Sequence, residues 1–308
     1  MTTRGIKVAL AQRSPEPIDG TLESFAADVA ATLTDHPGTG LIVYPEMHLC
    51  GTEHLPEDER PAALEAGAVR LDSEYVAALG AIAARHNVWL CPGSIGEIGT
   101  DGKFYNTQLL FAPNGELQAT YRKMFPWRPF EPHVPGTHFT VHDLDSFTAS
   151  DAANDAAASQ PHGVVGLSIC YDAWFPEHSR QLAWLGAELI LNIVKTTSPD
   201  REQELILARA NAITNQNVMA SVNCAGPVGR GRSIVVGPEG FVIAEAGIGE
   251  ETLTFTFTPN DVTEVRERGT MFSNRVWNQF TPDDAPVPLP MYNGQISPAE
   301  WAPPTRRP

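Results

Sequence analysis

The sequence is short of cysteine, of long apolar runs and of basic residues. Its four cysteines, Cys50, Cys91, Cys170 and Cys224, are scattered over 308 residues, too few and too widely spaced for a disulfide scaffold. No stretch approaches the ~18 apolar residues that a membrane-spanning helix needs, and Met1–Ile6 carries no apolar signal region. The expectation is a cytoplasmic protein with free thiols. Lys and Arg total 21 against 37 Asp and Glu, a net charge of −16. A surface of that sign repels nucleic acid and anionic membranes at long range, so neither is expected as a partner. Phosphate-loop and metal signals are also missing. Gly226-Pro-Val-Gly-Arg-Gly231 lacks the Lys-Ser/Thr that must follow. His133, His138 and His142 lack metal-site spacing and neighbouring Cys ligands. Neither a cofactor nor a metal is expected.

What is present is an ordinary folded composition, 42% hydrophobic and 19% charged, with enough length for a sizeable core. Short apolar runs alternate with helical stretches. Strands are predicted at Val8–Gln12, Leu41–Tyr44, Val88–Cys91, Thr107–Phe111, Val164–Cys170, Leu189–Ile193, Val218–Val222 and Ser233–Val236. Most are continuous apolar runs, as strands covered on both faces require. Helices are predicted at Thr21–Thr34, Ser73–Arg85, Pro176–Leu185 and Arg201–Asn215.

The order repeats, and each half ends in a strand–turn–strand unit. Leu110-Phe-Ala-Pro-Asn-Gly-Glu-Leu117 parallels Val235-Val-Gly-Pro-Glu-Gly-Phe-Val242, each with the fixed φ of proline and the permissive glycine of a tight turn. Two related α/β halves, each giving one sheet, predict a four-layer αββα sandwich. The domain is placed at 1–258. Residues 259–308, rich in proline, are expected to be an irregular extension with no core element, at a subunit interface. Ser146–Gln160, rich in Ala, Ser and Asp, reads as a surface insertion.

Three reactive residue types fall at strand ends, where sites in α/β sheets lie. Glu46 follows Leu41–Pro45, Cys170 ends Val164–Ile169, and Lys123 follows Ala119–Arg122. Singly, each has a plain structural reading: a solvated loop carboxylate, a small buried thiol, a snorkelling lysine. Together they form a working set. A carboxylate can take a thiol proton and return it to a leaving amine, and an ammonium can stabilise a tetrahedral oxyanion.

Tyr44-Pro-Glu46, Tyr121-Arg-Lys-Met124 and Leu167-Ser-Ile-Cys-Tyr-Asp-Ala-Trp-Phe-Pro-Glu177 resemble, in order and spacing, the three signature segments of the nitrilase superfamily of carbon–nitrogen hydrolases. The resemblance covers roughly residues 5–258. It implies Glu46 as general base, Lys123 as oxyanion stabiliser and Cys170 as nucleophile, on an αββα sandwich. Lys123-Met-Phe-Pro-Trp-Arg-Pro-Phe-Glu131 is similar to the corresponding stretch of aliphatic amidases and formamidases, which implies that Glu131 lines the pocket and orients the substrate, walled by Trp127 and Phe130.

Tyr171-Asp172 after the cysteine looks like the amidase and carbamoylase branches rather than true nitrilases. Ala173 and Trp174 stand where D-carbamoylases carry arginines for a substrate carboxylate, so that clamp is missing. A small neutral amide is the expected substrate, lined by Trp127, Phe130, Tyr171 and Trp174. An anion would be repelled by Glu46, Glu131 and Asp172 unless Lys195 swings in to pair it. Aliphatic amidases have Asp directly after the cysteine, whereas Tyr171 intervenes here, which leaves a carbamoyl amine or amino acid as the alternative substrate. A nitrile and a catalytically silent assembly role are weaker alternatives. Apolar Trp184 and Leu185 on a predicted outer helix lead us to expect a homodimer or a higher even-numbered homo-oligomer.

Overall fold

In the computed structural model, which describes residues 5–147, 162–289 and 294, alternation within the strands decides the layering. Val8 and Leu10 point one way and Ala9 and Ala11 the other; Leu189, Leu191 and Ile193 oppose Ile190 in the same manner. Strands apolar on both faces must be covered on both.

The elements run in the order β1 Ile6–Gln12, α1 Leu22–Asp35, β2 Thr39–Val43, α2 Arg60–Ala66, α3 Glu74–His86, β3 Trp89–Cys91, β4 Ser94–Ile98, β5 Phe104–Phe111, β6 Leu117–Arg122 and β7 Val141–Asp143. They continue with β8 Val164–Ile169, α4 Pro176–Trp184, β9 Leu189–Val194, α5 Arg201–Asn215, β10 Val218–Asn223, β11 Ile234–Val236, β12 Val242–Glu245, β13 Glu251–Phe257 and α6 Pro259–Arg268. One sheet has the order β13-β1-β2-β3-β5-β4, with β6 also on β5; the other has the order β12-β11-β10-β9-β8-β7. Parallel strands form each centre, β1-β2-β3 and β8-β9-β10, with antiparallel strands outside.

One core cluster lies between the sheets, joining Val8, Leu10, Leu41 and Val43 to Leu167, Ile169, Leu191 and Val222. A second packs the first sheet on α1 and α3 through Phe25, Val29, Val76 and Leu79. A third packs the other sheet on α4 and α5 through Leu182, Leu205 and Ala208. These four layers are the expected αββα sandwich. Both Pro-X-Gly turns are tight, with Gly115 and Gly240 at positive φ (88° and 84°).

The sequence reading needs correction in three places. The halves do not each keep one sheet: β13, from the second half, pairs along its whole length with β1 of the first, Ile6↔Phe257 to Gln12↔Glu251. The strand hides what would otherwise be an open edge. Second, the chain beyond 258 does supply a core element. Pro259 starts α6, as proline does well at a helix N-terminus, and buries Val262 completely in the inter-sheet core. The compact unit runs to Val276, with Trp277–Pro308 separate. Among its described residues the second unit holds a turn in which the Thr281 N–H donates to Asp284. Third, the strand Val164–Cys170 stops at Ile169, because Cys170 turns into a left-handed conformation. Of the expected insertion at 146–160, Ser146 and Phe147 close a 3₁₀ turn, Leu144–Phe147; the rest lies outside the described residues. Among the described residues no helix is long and apolar enough to cross a membrane.

Candidate active site

Glu46 leaves β2 in a turn held from behind. The Tyr44 hydroxyl donates to Asp28 at 2.7 Å, and the Met47 N–H donates to Ser94 Oγ at 3.0 Å. The carboxylate is 4% exposed and fully engaged. Oε1 accepts from Lys123 Nζ at 2.9 Å and Asn106 Nδ2 at 2.9 Å, and Oε2 accepts from the Lys195 backbone N–H at 2.9 Å.

Lys123 directly follows β6, and its N–H donates to the Asn106 carbonyl at 2.9 Å. That register places the lysine and Asn106 over Glu46. Its ammonium is 0% exposed and also donates to Glu131 Oε1 at 2.5 Å. Burial works against its charge, but Glu46, Cys170 and Glu131 outweigh burial and raise its pKa well above the usual lysine value. Two carboxylates around one buried ammonium is the only way such a charge is tolerated.

Glu131 arrives through a loop that doubles back. Its N–H donates to the Trp127 carbonyl at 3.0 Å, Arg128 donates to the Glu131 and His133 carbonyls, and the Gly136 N–H donates to the Lys123 carbonyl at 2.8 Å. A Cβ at Gly136 would sit 2.2 Å from the Arg122 carbonyl, so this return path requires glycine. Burial opposes ionisation of Glu131, but Lys123 and His133 hold its pKa down to about 2. Its Oε2 is buried and lies 3.7 Å from His133 Nδ1, with no hydrogen bond of its own among the described residues.

Cys170 meets this cluster from the opposite sheet. It is partly buried, stands at φ 48° and opens the 3₁₀ turn Cys170–Trp174. A non-glycine residue there is strained, typically by ~1–3 kcal/mol, and such strain gathers at functional turns. Burial pushes the Cys170 thiol up, Glu46 and Glu204 push it further, and Lys123 pulls the other way; the outcome is a pKa well above the usual thiol value. The thiol is thus electrostatically coupled to a carboxylate, Glu46, and to an ammonium, Lys123.

Glu46, Lys123, Glu131 and Cys170 therefore converge. The expected lining residues behave differently. Trp127 and Phe130 pair with each other, ring centroids 4.4 Å apart, but are 38% and 69% exposed. The turn that sends Glu131 inward leaves its aromatic neighbours on the outside. Tyr171 and Trp174 are partly buried, 5.8 Å apart. Lys195 Nζ is held by Glu53 Oε1 at 2.7 Å, and its backbone rather than its side chain reaches Glu46. Asp172 is not a carboxylate facing the substrate: it is 0% exposed and bound by Tyr121, Phe125 and Ile169. Grooves of about 590 and 310 Å³ lie elsewhere, one along α1 and α3 and the other between the β11–β12 turn and α6.

Asn106 and the Lys195 N–H went unrecognised in sequence. Asn106 follows Phe104-Tyr105 in β5 and is itself followed by the polar pair Thr107-Gln108, so it does not stand out as a cue; a backbone N–H has no sequence signature.

The carbon–nitrogen hydrolase family profile matches residues 7–267. The chain belongs to that family. This carbon–nitrogen hydrolase is 33% identical over 233 residues to a formamidase of Bradyrhizobium sp. (strain ORS 278), covering 73% of this chain and 62% of the relative, so it spans less than two thirds of that protein. It is 30% identical over 257 residues to omega-amidase NIT2-B of Xenopus laevis, covering 80% and 87%. The amidase of Nesterenkonia sp. AN1, from the nitrilase superfamily, superposes with a TM-score of 0.66 at 25% identity over 86% of this chain and 95% of that one. One variant of that amidase carries the acetamide moiety of fluoroacetamide covalently on its active-site cysteine.

Proposed function

We propose that this carbon–nitrogen hydrolase cleaves small neutral amides through a thioester on Cys170. The observation that carries the reading is the electrostatic coupling of the Cys170 thiol to Lys123 and to Glu46, whose carboxylate is held by Lys123, Asn106 and the Lys195 N–H. A thiol that does not ionise by itself needs a base. Glu46 accepts the proton as Sγ attacks the carbonyl carbon. The resulting oxyanion is stabilised by the Lys123 ammonium and by the backbone N–H after the nucleophile. The proton passes from Glu46 to the leaving nitrogen, the C–N bond breaks, and ammonia departs. Water, deprotonated by Glu46, attacks the thioester; the carboxylic acid leaves and the thiol is restored. Glu131 Oε2, charged and 3.7 Å from His133 Nδ1, accepts an N–H of the substrate amide and orients it.

The neutral-amide preference is supported by Glu53, which already neutralises Lys195, and by likeness to a formamidase. A second reading, an amide bearing a distal carboxylate or an N-carbamoyl amino acid, is favoured by the position of Lys195, whose own backbone N–H donates to Glu46, and by likeness to an ω-amidase. Ammonia release from formamide, acetamide and propionamide, set against succinamate and an N-carbamoyl amino acid, tests both. Preference for the carboxylate-bearing compounds, reversed by Lys195→Ala, sinks the first reading.

A further inference from the structure

Two residues before Lys123 and two after Cys170 stand Tyr121 and Asp172, both in the signature segments and neither with a role in the chemistry above. They meet in the core. Asp172 Oδ2 accepts from the Tyr121 hydroxyl at 2.8 Å and the Ile169 N–H at 2.9 Å, and Oδ1 accepts from the Phe125 N–H at 3.0 Å. Tyr121 Oη in turn accepts from the Met124 N–H at 3.2 Å and lies 2.7 Å from His178 Nε2. Asp172 and His178 are 0% exposed and Tyr121 is 1% exposed.

The proton positions follow from the donors. A buried carboxylate is tolerated only if its lone pairs are taken up, so the single Tyr121 proton goes to Asp172. The histidine nitrogen facing Tyr121 must then be the one that carries hydrogen. Among the described residues His178 Nδ1 has no hydrogen-bond partner, which suits a neutral ring, and burial lowers the His178 pKa in the same direction.

Donors to Asp172 come from both motif-bearing segments. Tyr121 and Phe125 bracket Lys123, while Ile169 immediately precedes Cys170. The carboxylate is thus a joint between the β6 end in one sheet and the β8 end in the other, and α4 braces it through His178. We propose that Asp172, Tyr121 and His178 are positioning residues that set the placement of the Cys170 turn relative to Lys123. The inference rests on the amide-hydrolase reading for its role, but not for its geometry. Sub-ångström displacement of a nucleophile from its stabilising cation is costly; shifts near 1 Å commonly lose ~100-fold.

The test uses Tyr121→Phe, His178→Leu and His178→Gln in the full chain. Two readouts are taken: kcat and KM for acetamide, and the rate of Cys170 alkylation by iodoacetamide, located by peptide mass spectrometry. Tyr121→Phe is expected to lower both kcat and the alkylation rate by ~10–100-fold with KM within about threefold. His178→Leu should lose about tenfold, and His178→Gln, which keeps an N–H toward Tyr121, should recover most of that loss. If folded Tyr121→Phe alkylates and turns over like the parent, or if His178→Gln is as slow as His178→Leu, the network is packing only and the proposal fails. Should Tyr121→Phe not fold, the His178 pair decides alone. A parent enzyme that alkylates at Cys170 yet releases no ammonia from any amide overturns the functional reading instead, and the alkylation series still judges the positioning network.

Discussion

In the first half of the sandwich the strand ends present fixed charge: Glu46 after β2, and Lys123 and Glu131 around the end of β6, interlocked by bonds of 2.9 and 2.5 Å. In the second half, the matching region at the end of β8 presents a single strained thiol on a turn held by a carboxylate whose direct hydrogen bonds come from neutral donors. The first region is rigid because removing any ion leaves another uncompensated in the core. The second is rigid because backbone N–H groups and one hydroxyl saturate Asp172. One sheet thus supplies the charged groups and the other the thiol, and they meet only because the sheets face each other.

Removing the nucleophile should give the largest effect. Cys170→Ala is expected to lower ammonia release by ~10⁴-fold or more while the melting temperature stays within a few degrees. Mass spectrometry of the parent with a slow amide should place the acyl adduct on Cys170; stable labelling of Cys50 or Cys224 would break the contrast. Glu46→Gln keeps an acceptor for Lys123 but removes the base, so kcat should fall ~10²–10⁴-fold with the fold retained. Lys123→Met attacks the charged region itself. It strands Glu46 and Glu131 without their cation and should cost ~3–5 kcal/mol of stability, read from urea unfolding, far more than Cys170→Ala; equal costs would erase the distinction drawn between the two regions.

Acid should weaken the fold. Glu131 has a depressed folded pKa of about 2, so its contribution to stability is present above its ordinary pKa of 4.5 and is lost as pH falls from there toward 2. His48, stacked on Tyr44 behind Glu46, is kept neutral by burial with a pKa lowered to about 3 from 6.5. The unfolded chain takes up that proton first, so stability drops as pH falls from 6.5 toward 3. Both groups lie in the first half, and His178 in the second, its pKa also lowered by burial, adds a loss of the same sign. Urea midpoints between pH 7 and 4 should decline in the parent and decline less in His48→Phe; an unchanged slope would remove His48 from the account. The smallest effect concerns assembly. Trp184 at the end of α4 is 71% exposed and Leu185 is 45% exposed, which suits a homodimer contact. Sedimentation at micromolar concentration should give a dimer or a multiple of it, shifted toward monomer by Trp184→Glu.

Local pattern by itself determined a good deal. Most central strands, four of the helices, with Arg201–Asn215 to the residue, and the paired Pro-X-Gly turns were readable, because periodicity and turn chemistry are properties of neighbouring residues; Glu46, Lys123 and Cys170 stood out at strand ends, and Glu131 only through the family resemblance. Tertiary structure alone decided what those residues meet. β13 closing the first sheet, Val262 entering the core, Asn106 and the Lys195 N–H on Glu46, and the sequestering of Asp172 by Tyr121 all join positions far apart in the chain. Trp127 and Phe130 remaining outside while Glu131 turns inward is likewise a matter of one loop's return path. Such pairings depend on sheet register and loop closure, and a contact across 149 residues, such as Lys195 to Glu46, leaves no trace in local sequence because its energy comes from burial that exists only once both sheets are assembled.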